Sequence, residues 1–178
     1  MRRIVTLVLV IATLSPVALT AQSGDALMKK AGAFTPVPNP SFTADKTVDY
    51  KVLWDVTAAP DKPDAVPAGL ARPANFLLIA DDNGVDRKRV HLAVILHGGA
   101  TSAVMTNDAY KTAKGVDNPS IALIKAMTDA GVQVIVCGQA LAGAKIARDQ
   151  VLPFVKVATS ATFARATLHA QGYATFEP

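Results

Sequence analysis

The sequence predicts a doubly wound α/β domain of three layers, in which a mostly parallel sheet of about five strands lies between helices. Aliphatic runs without polar alternation recur along the chain, and such runs are typical of strands that are covered on both faces. Helical patterns separate these runs, and the connections of roughly ten residues or more are long enough for parallel crossovers. Both observations favour a three-layer α/β/α arrangement.

Composition limits the classes of protein to which the chain can belong. Of 178 residues, 51% are hydrophobic and 18% are charged, which excludes a disordered chain, and 11 Gly with 11 Pro excludes a low-complexity one. The single cysteine excludes an intramolecular disulfide and an all-cysteine metal cluster. The formal charge is +4, but no Lys/Arg cluster alternates with aromatic residues, so we expect no nucleic-acid partner.

The N-terminus has the order of a secretory signal peptide. Arg2 and Arg3 precede an uncharged apolar run over residues 4–14, and Ala21-Gln22-Ser23 provides small residues for cleavage. The run is shorter than the roughly 20 residues of a membrane span, so we expect residues 1–23 to be removed, with no span left afterwards. This predicts an exported protein, periplasmic if the source is Gram-negative.

The predicted elements follow in order from turn residues and periodicity. Residues 24–47 contain several prolines and little periodicity, so an arm or linker over the surface is expected before an α/β domain at 48–178. The predicted strands are 50–56, 90–96, 132–136, 155–158 and 173–176. The predicted helices are 67–81, 101–114, a segment after Asn118, 139–148 and 160–171.

Two helices carry specific expectations. The helix at 67–81 is predicted to bury Leu70, Phe76, Leu77 and Ile79, with Pro73 either kinking it or delaying its start until about residue 74. In the helix after residue 117, either Asp117 or Asn118 is expected at the N-cap, with Pro119 at the first helical position and Gly131 at the C-terminal end.

Two predicted strands end in residues that can do chemistry. His97 follows the second strand and Cys137 follows the third, and ligands of open α/β sheets bind beyond the carboxyl ends of strands. Cys137 also precedes a helix, whose N-terminus favours a thiolate. Either residue also has a structural alternative, because a cysteine can be a small buried hydrophobe and a histidine can simply be hydrogen-bonded at a strand end.

Other motif classes are not matched. His97-Gly98-Gly99 lacks the third glycine of a dinucleotide fingerprint and the lysine of a P-loop, so no nucleotide cofactor is predicted. There is no HxxxH or CxxC spacing for a metal, and no GxSxG for a serine hydrolase. We therefore predict neither a metal nor another cofactor.

Several segments together resemble the exported members of the DsrE/DsrF-like family. The resemblance lies in the Val94–Ala100 strand end, Asn118-Pro119 opening an aliphatic helix, Val136-Cys137-Gly138-Gln139, Val155–Ala158 and the closing Leu168–Tyr173. It covers about residues 49–176.

The resemblance implies a flavodoxin-like parallel sheet and homo-oligomers, often trimers or hexamers. Cytoplasmic relatives act in sulfur relay, in which a strand-end cysteine receives and passes on a persulfide. Carried over, that role falls on Cys137, with small sulfur species or a protein thiol or persulfide as partners.

The leading hypothesis is therefore a sulfur carrier or sulfurtransferase. Its catalytic residues would be Cys137 and His97, and the residues lining its site would be Gly98, Gly99, Tyr110, Gly138 and Gln139. The alternative is a non-enzymatic oligomeric module of the same fold that binds a small ligand or a metal. Whether the protein is an enzyme stays open at this point.

Overall fold

The computed structural model describes residues 24–176, so the predicted signal peptide at 1–23 lies outside the described residues. The strands are β1 (Tyr50–Val56), β2 (Val90–Leu96), β3 (Gln133–Cys137), β4 (Lys156–Ala158) and β5 (Ala174–Phe176). The helices are α1 (Gly24–Gly32), α2 (Ala71–Asp82), α3 (Asn107–Lys114), α4 (Ile121–Asp129), α5 (Gly138–Gly143) and α6 (Ala161–Ala170). None of these helices has the length and apolar character needed to cross a membrane.

The five strands form one parallel sheet in the order β4-β3-β2-β1-β5. The chain adds β2, β3 and β4 on one side of β1 and then returns to place β5 on the other side. Because parallel crossovers are right-handed, this reversal puts the last connecting helix on the opposite face from the earlier ones. The predicted doubly wound α/β/α class is confirmed, and the arrangement is flavodoxin-like.

Alternate side chains of the strands form two separate hydrophobic clusters. On the first face, Val52, Val94 and Val134 belong to the larger cluster, which includes buried residues of α2 and α4. On the second face, Leu53, Ile95 and Ile135 belong to a smaller cluster completed by α6. Continuous aliphatic strands are explained by this double covering, because neither face of the central strands meets water.

The segment at 24–32 differs from the surface arm expected there. It forms the helix α1, which packs on α2 and α4 and buries Met28 in the larger cluster. The apolar pattern of this segment is weak because α1 lies on other helices rather than on the sheet, and because four of its nine residues are alanine or glycine. Residues 33–49 contain no helix or strand, as expected for a linker.

Pro73 does not delay the start of α2 until residue 74, so that expectation was wrong. The helix begins at Ala71, after a 3₁₀ turn at Ala68–Leu70. Pro73 is its third residue, where a backbone N–H has no intrahelical partner to lose. The predicted buried face was also wrong at Ile79, which is 40% exposed.

The helix ends near the sheet differ from expectation because local hydrogen bonds decide them. Pro119 precedes α4 rather than opening it, and Ser120 is the N-cap residue. Asn118 is buried, donates to the carbonyls of Ala103 and Met105, and accepts from the Ser120 N–H. This one amide therefore joins the loop after β2 to the start of α4.

Two predicted helices are shorter than expected. The segment expected at 101–114 divides into a 3₁₀ helix at Gly98–Val104 and α3, and α5 ends at Gly143 rather than at 148. Lys145, two residues after α5, has a left-handed φ of 56°, which a continuing right-handed helix excludes.

Two of the glycines at the strand ends, Gly99 and Gly138, have no room for a side chain, because backbone atoms of neighbouring segments lie too close. A Cβ on Gly138 would lie 2.6 Å from the carbonyl oxygen of Ala158, and one on Gly99 would lie 2.8 Å from the Ala59 nitrogen. Gly98 has a φ of 56°. The close approach of adjacent chain segments therefore explains these glycines without reference to a ligand.

We predict opposite effects for two glycine substitutions in α5. Gly138→Ala should lower the free energy of unfolding by about 1–3 kcal/mol, because its new methyl group forces β3 and β4 apart. The matched control is Gly143→Ala, whose Cβ meets nothing within 4 Å. It should leave stability unchanged or raise it by up to about 1 kcal/mol through helix propensity. Urea unfolding measures both, and equal stabilities would contradict the described packing.

Candidate functional site

The carboxyl ends of β1, β2 and β3 lie level with one another at one edge of the sheet. Val56 pairs with Leu96, and Leu96 pairs with Val136. His97 and Cys137 are the next residues of their chains, so this register places them opposite each other on strands about 4.8 Å apart. The His97 N–H donates to the Val56 carbonyl at 3.1 Å, which continues the pairing past the end of β2.

Strand alternation also places three of these side chains on one face. Leu53, Ile95 and Cys137 all belong to the second-face cluster covered by α6. Asp55 and His97 come two residues after Leu53 and Ile95, so they point to that same face. The edge therefore brings together Asp55 from β1, His97 from the end of β2 and Cys137 from β3.

Arg165 of α6 completes a group of charged side chains at this edge, which we call the strand-end cluster (Asp55, His97 and Arg165). Arg165 Nη2 forms an ion pair with Asp55 Oδ2, and His97 Nε2 lies 3.2 Å from Asp55 Oδ1. The Asp55 side chain is only 17% exposed, against 27% for His97 and 35% for Arg165. The Asp55 carboxylate thus lies between the imidazole of His97 and the guanidinium of Arg165.

Hydrogen bonding in the strand-end cluster is incomplete. Asp55 Oδ1, His97 Nε2 and Arg165 Nε are buried and have no hydrogen-bond partner, since the 3.2 Å contact is close but poorly aligned. Most buried polar atoms in proteins have a hydrogen-bond partner, so these three atoms call for an explanation, either an ordered water or a functional role.

No other titratable side chain follows the four parallel strand ends. The segments 57–60, 98–104, 138–143 and 158–164 contain only apolar residues, small hydroxyl residues, glycine and Gln139. Among the described residues at these four strand ends, the groups available for proton transfer are therefore those of the strand-end cluster and the thiol of Cys137.

Cys137 lies where the sequence predicted, at the end of β3 and at the N-cap of α5. It also lies at a topological switch point, because the chain leaves β3 for the first face, where Leu141 of α5 is buried, and leaves β4 for α6 on the second face. Ligands of open α/β sheets bind at such points.

The expectation of an open thiol is not met in the single chain. Cys137 is 6% exposed and packs in the second-face cluster with Leu53, Ile95 and Ala161. The partly buried residues packed against this cluster are Ala140, Ala158, Ala164 and Tyr173.

The other residues predicted for the site are dispersed. Gly138 and Gln139 open α5 directly after Cys137, and Gln139 is exposed. The Tyr110 hydroxyl instead donates to the Pro63 carbonyl at 2.7 Å, so it holds the loop at 60–67. Burial raises the pKa of Tyr110, and the nearby Asp64 carboxylate raises it further.

Gly98 and Gly99 face a different space. They line a cavity of about 660 Å³ between the 3₁₀ helix, α3 and the segment after α5, and its described lining residues include neither Cys137 nor His97. Its polar lining is formed by Thr101, Ser102, Thr106, Asp108, Thr112, Lys114, Lys145 and Gln150. Within residues 24–176, no three His, Cys, Asp or Glu side chains are grouped closely enough to hold a metal ion.

The sequence analysis missed Asp55 and Arg165. Asp55 carried a usable signal, since it is an acidic residue next to the end of an aliphatic strand, where burial requires a partner. Arg165 carried none, because one arginine on an amphipathic helix is indistinguishable from a solvated residue until the helix is placed on the sheet.

Comparison with known proteins agrees with this architecture. The chain is similar to the solved structure of MTH1491, a protein of unknown function from Methanobacterium thermoautotrophicum, with a TM-score of 0.50 and 19% identity over 73% of this chain and 100% of that one. At that identity the likeness concerns the fold alone. No curated protein matches the chain.

A sequence model describes the family more directly. The model of the DsrE/DsrF-like family matches residues 61–178, which include His97, Cys137 and Arg165 but begin after Asp55. Because the match covers well over half of the chain, the protein belongs to the DsrE/DsrF-like family.

Proposed function

We propose that this protein is an exported sulfur carrier in which Cys137 accepts a sulfur atom as a persulfide and passes it to an acceptor thiol. The observation that supports this most is the position of Cys137 at a switch point of the sheet, with His97 in register beside it. Family membership supports the general class, and the strand-end cluster supplies the groups for proton transfer.

The chemistry is thiol–persulfide exchange. The Cys137 thiolate attacks the outer sulfur of a persulfide or polysulfide, so that a new S–S bond forms at Sγ while the donor's S–S bond breaks. The rest of the donor leaves with the electron pair of the broken bond: a thiolate from an organic persulfide, a shorter polysulfide from inorganic polysulfide, or sulfite when thiosulfate is the donor. An acceptor thiolate then attacks the outer sulfur on Cys137, which restores the Cys137 thiolate with no net oxidation or reduction.

Residues around the thiol have distinct tasks in this proposal. His97 accepts the thiol proton, so that the nucleophilic thiolate forms. Gly138 and Gln139 follow Cys137 directly, and their backbone N–H groups lie in the first turn of α5, where they lack intrahelical partners. They would stabilise negative charge on the persulfide.

Access to Cys137 favours small donors. Because the side chain is only 6% exposed, inorganic polysulfide or a low-molecular-weight persulfide can reach it more readily than a protein donor can. A protein partner would require α6 or the residues between β4 and α6 to move.

Export and self-association belong to the same proposal. The signal sequence at 1–23 supports a periplasmic location of the mature chain. Membership of the DsrE/DsrF-like family is the basis for proposing a homo-oligomer, either trimer or hexamer.

Sulfur loading tests the proposal. Purified wild-type protein exposed to polysulfide, thiosulfate or glutathione persulfide should gain the mass of one or more sulfur atoms, and the gain should disappear with dithiothreitol. Cys137→Ser, the closest substitution in shape, should gain none while its circular dichroism still shows a folded protein; its melting temperature should fall, because the hydroxyl lies in an apolar cluster. If the folded wild-type protein gains no sulfur from any of the three donors, the proposal fails.

A second candidate function is supported by the cavity beside Gly98 and Gly99. At about 660 Å³, with hydroxyl and lysine side chains on its wall, it is large enough for a small polar ligand. In this alternative the protein is a binding module and Cys137 is a buried hydrophobe. Cys137→Ala would then leave oligomeric state and ligand affinity nearly unchanged, and wild-type protein would carry no sulfur.

A further inference from the structure

We propose that Asp55 and Arg165 are positioning residues for the thiol chemistry: Asp55, fixed by Arg165, holds His97 so that its Nδ1 is the proton acceptor for Cys137. This inference rests on the proposed function for its biological meaning, but the arrangement itself is tested independently below. It adds two residues to the site: Asp55, which precedes the segment matched by the family model, and Arg165, which lies on α6.

The four side chains lie at one edge of the sheet. Asp55, His97 and Cys137 come from three consecutive strands, at one edge and on one face, and Arg165 reaches them from the helix that covers that face. Among the described residues, the segments that follow β1 to β4 bring no other charged side chain to this edge. The groups facing His97 are therefore Asp55 on β1, Cys137 on β3 and Arg165 on α6.

The charges of Arg165 and Asp55 are paired. A carboxylate as covered as Asp55 needs a cation beside it, and the guanidinium of Arg165 is charged at every physiological pH. The ion pair with Arg165 fixes the position of the Asp55 carboxylate. Its other oxygen, Oδ1, lies 3.2 Å from His97 Nε2.

The contact with Asp55 also favours one tautomer of His97. An unprotonated Nε2 facing a carboxylate oxygen at 3.2 Å would place two lone pairs against each other, so the proton belongs on Nε2. In the neutral ring, Nδ1 is then the nitrogen with a free lone pair. A modest rotation of the ring aligns the Nε2–H with Oδ1 and satisfies both of these unpartnered atoms.

Proton transfer balances within the cluster. The S–H bond of Cys137 breaks and an N–H bond forms at His97 Nδ1, giving a thiolate and an imidazolium. Asp55 and Arg165 cancel each other before and after the transfer, and so do the two new charges. The site therefore creates no net charge, which limits the cost of ionising a nearly buried thiol.

A merely structural ion pair, tying α6 to β1, makes different predictions. It would affect stability when broken, but it would not change how the reactivity of Cys137 depends on pH. The pH profile of thiol alkylation therefore separates the two roles, since alkylation by iodoacetamide reports the thiolate without needing any sulfur donor.

The experiment measures the rate of iodoacetamide alkylation of Cys137 against pH in the full mature chain. Asp55→Asn should slow alkylation near neutral pH by about tenfold or more and move the midpoint of the profile, because the tautomer is no longer fixed. In a His97→Gln background, Asp55→Asn should have little further effect. The matched control is Asp129→Asn, which breaks the exposed Lys125–Asp129 pair on α4 and should leave the profile unchanged.

Should Asp55→Asn fail to fold, Arg165→Lys keeps the charge but loses the planar guanidinium, and it should shift the profile in the same direction by less. Identical profiles in wild type and in the folded variants would overturn the inference. Sulfur loading, measured in parallel, keeps the two proposals apart. Loading with unchanged profiles defeats only the positioning role, whereas shifted profiles without loading defeat only the sulfur role.

Discussion

Strands β1, β2 and β3 pair in parallel with their last residues level, and this register decides what the carboxyl edge of the sheet can do. A slip of one residue in any strand would turn its side chains to the opposite face. Asp55 or Cys137 would then point among the aliphatic residues under α2 and α4, away from His97. The backbone hydrogen bonds of the sheet thus hold together side chains that are about 40 residues apart in sequence.

The two faces of the sheet differ in the helices that cover them, and Cys137 lies on the face covered mainly by α6. The first face carries α2 and α4, with α1 packed on them, whereas the second-face cluster is covered mainly by α6, with Ala140 of α5 also packed against it. Arg165 comes from the same helix that covers the thiol, so the cover and the charge arrangement at the site are coupled.

The strands were predictable from sequence, and the strand-end cluster was not. β1 and β2 follow directly from aliphatic runs ended by turn residues, because burial on both faces leaves a continuous pattern. The positions of Cys137 and His97 followed from those strand ends. The partner of His97 did not, since register, face and helix placement together bring Asp55 and Arg165 to it. Helix ends such as those of α4 and α5 depended on Asn118 and on the backbone at Lys145, which periodicity does not report.

Onward transfer is the most direct test that Cys137 carries sulfur for another molecule. Protein loaded with sulfur, freed of donor and mixed with a low-molecular-weight thiol should lose its added mass in one turnover, while an equal amount of persulfide appears on the acceptor. The account predicts this exchange for wild type and none for Cys137→Ser treated in the same way. Equal transfer by the two proteins, or a loaded wild type that never releases its sulfur to a thiol, would contradict it.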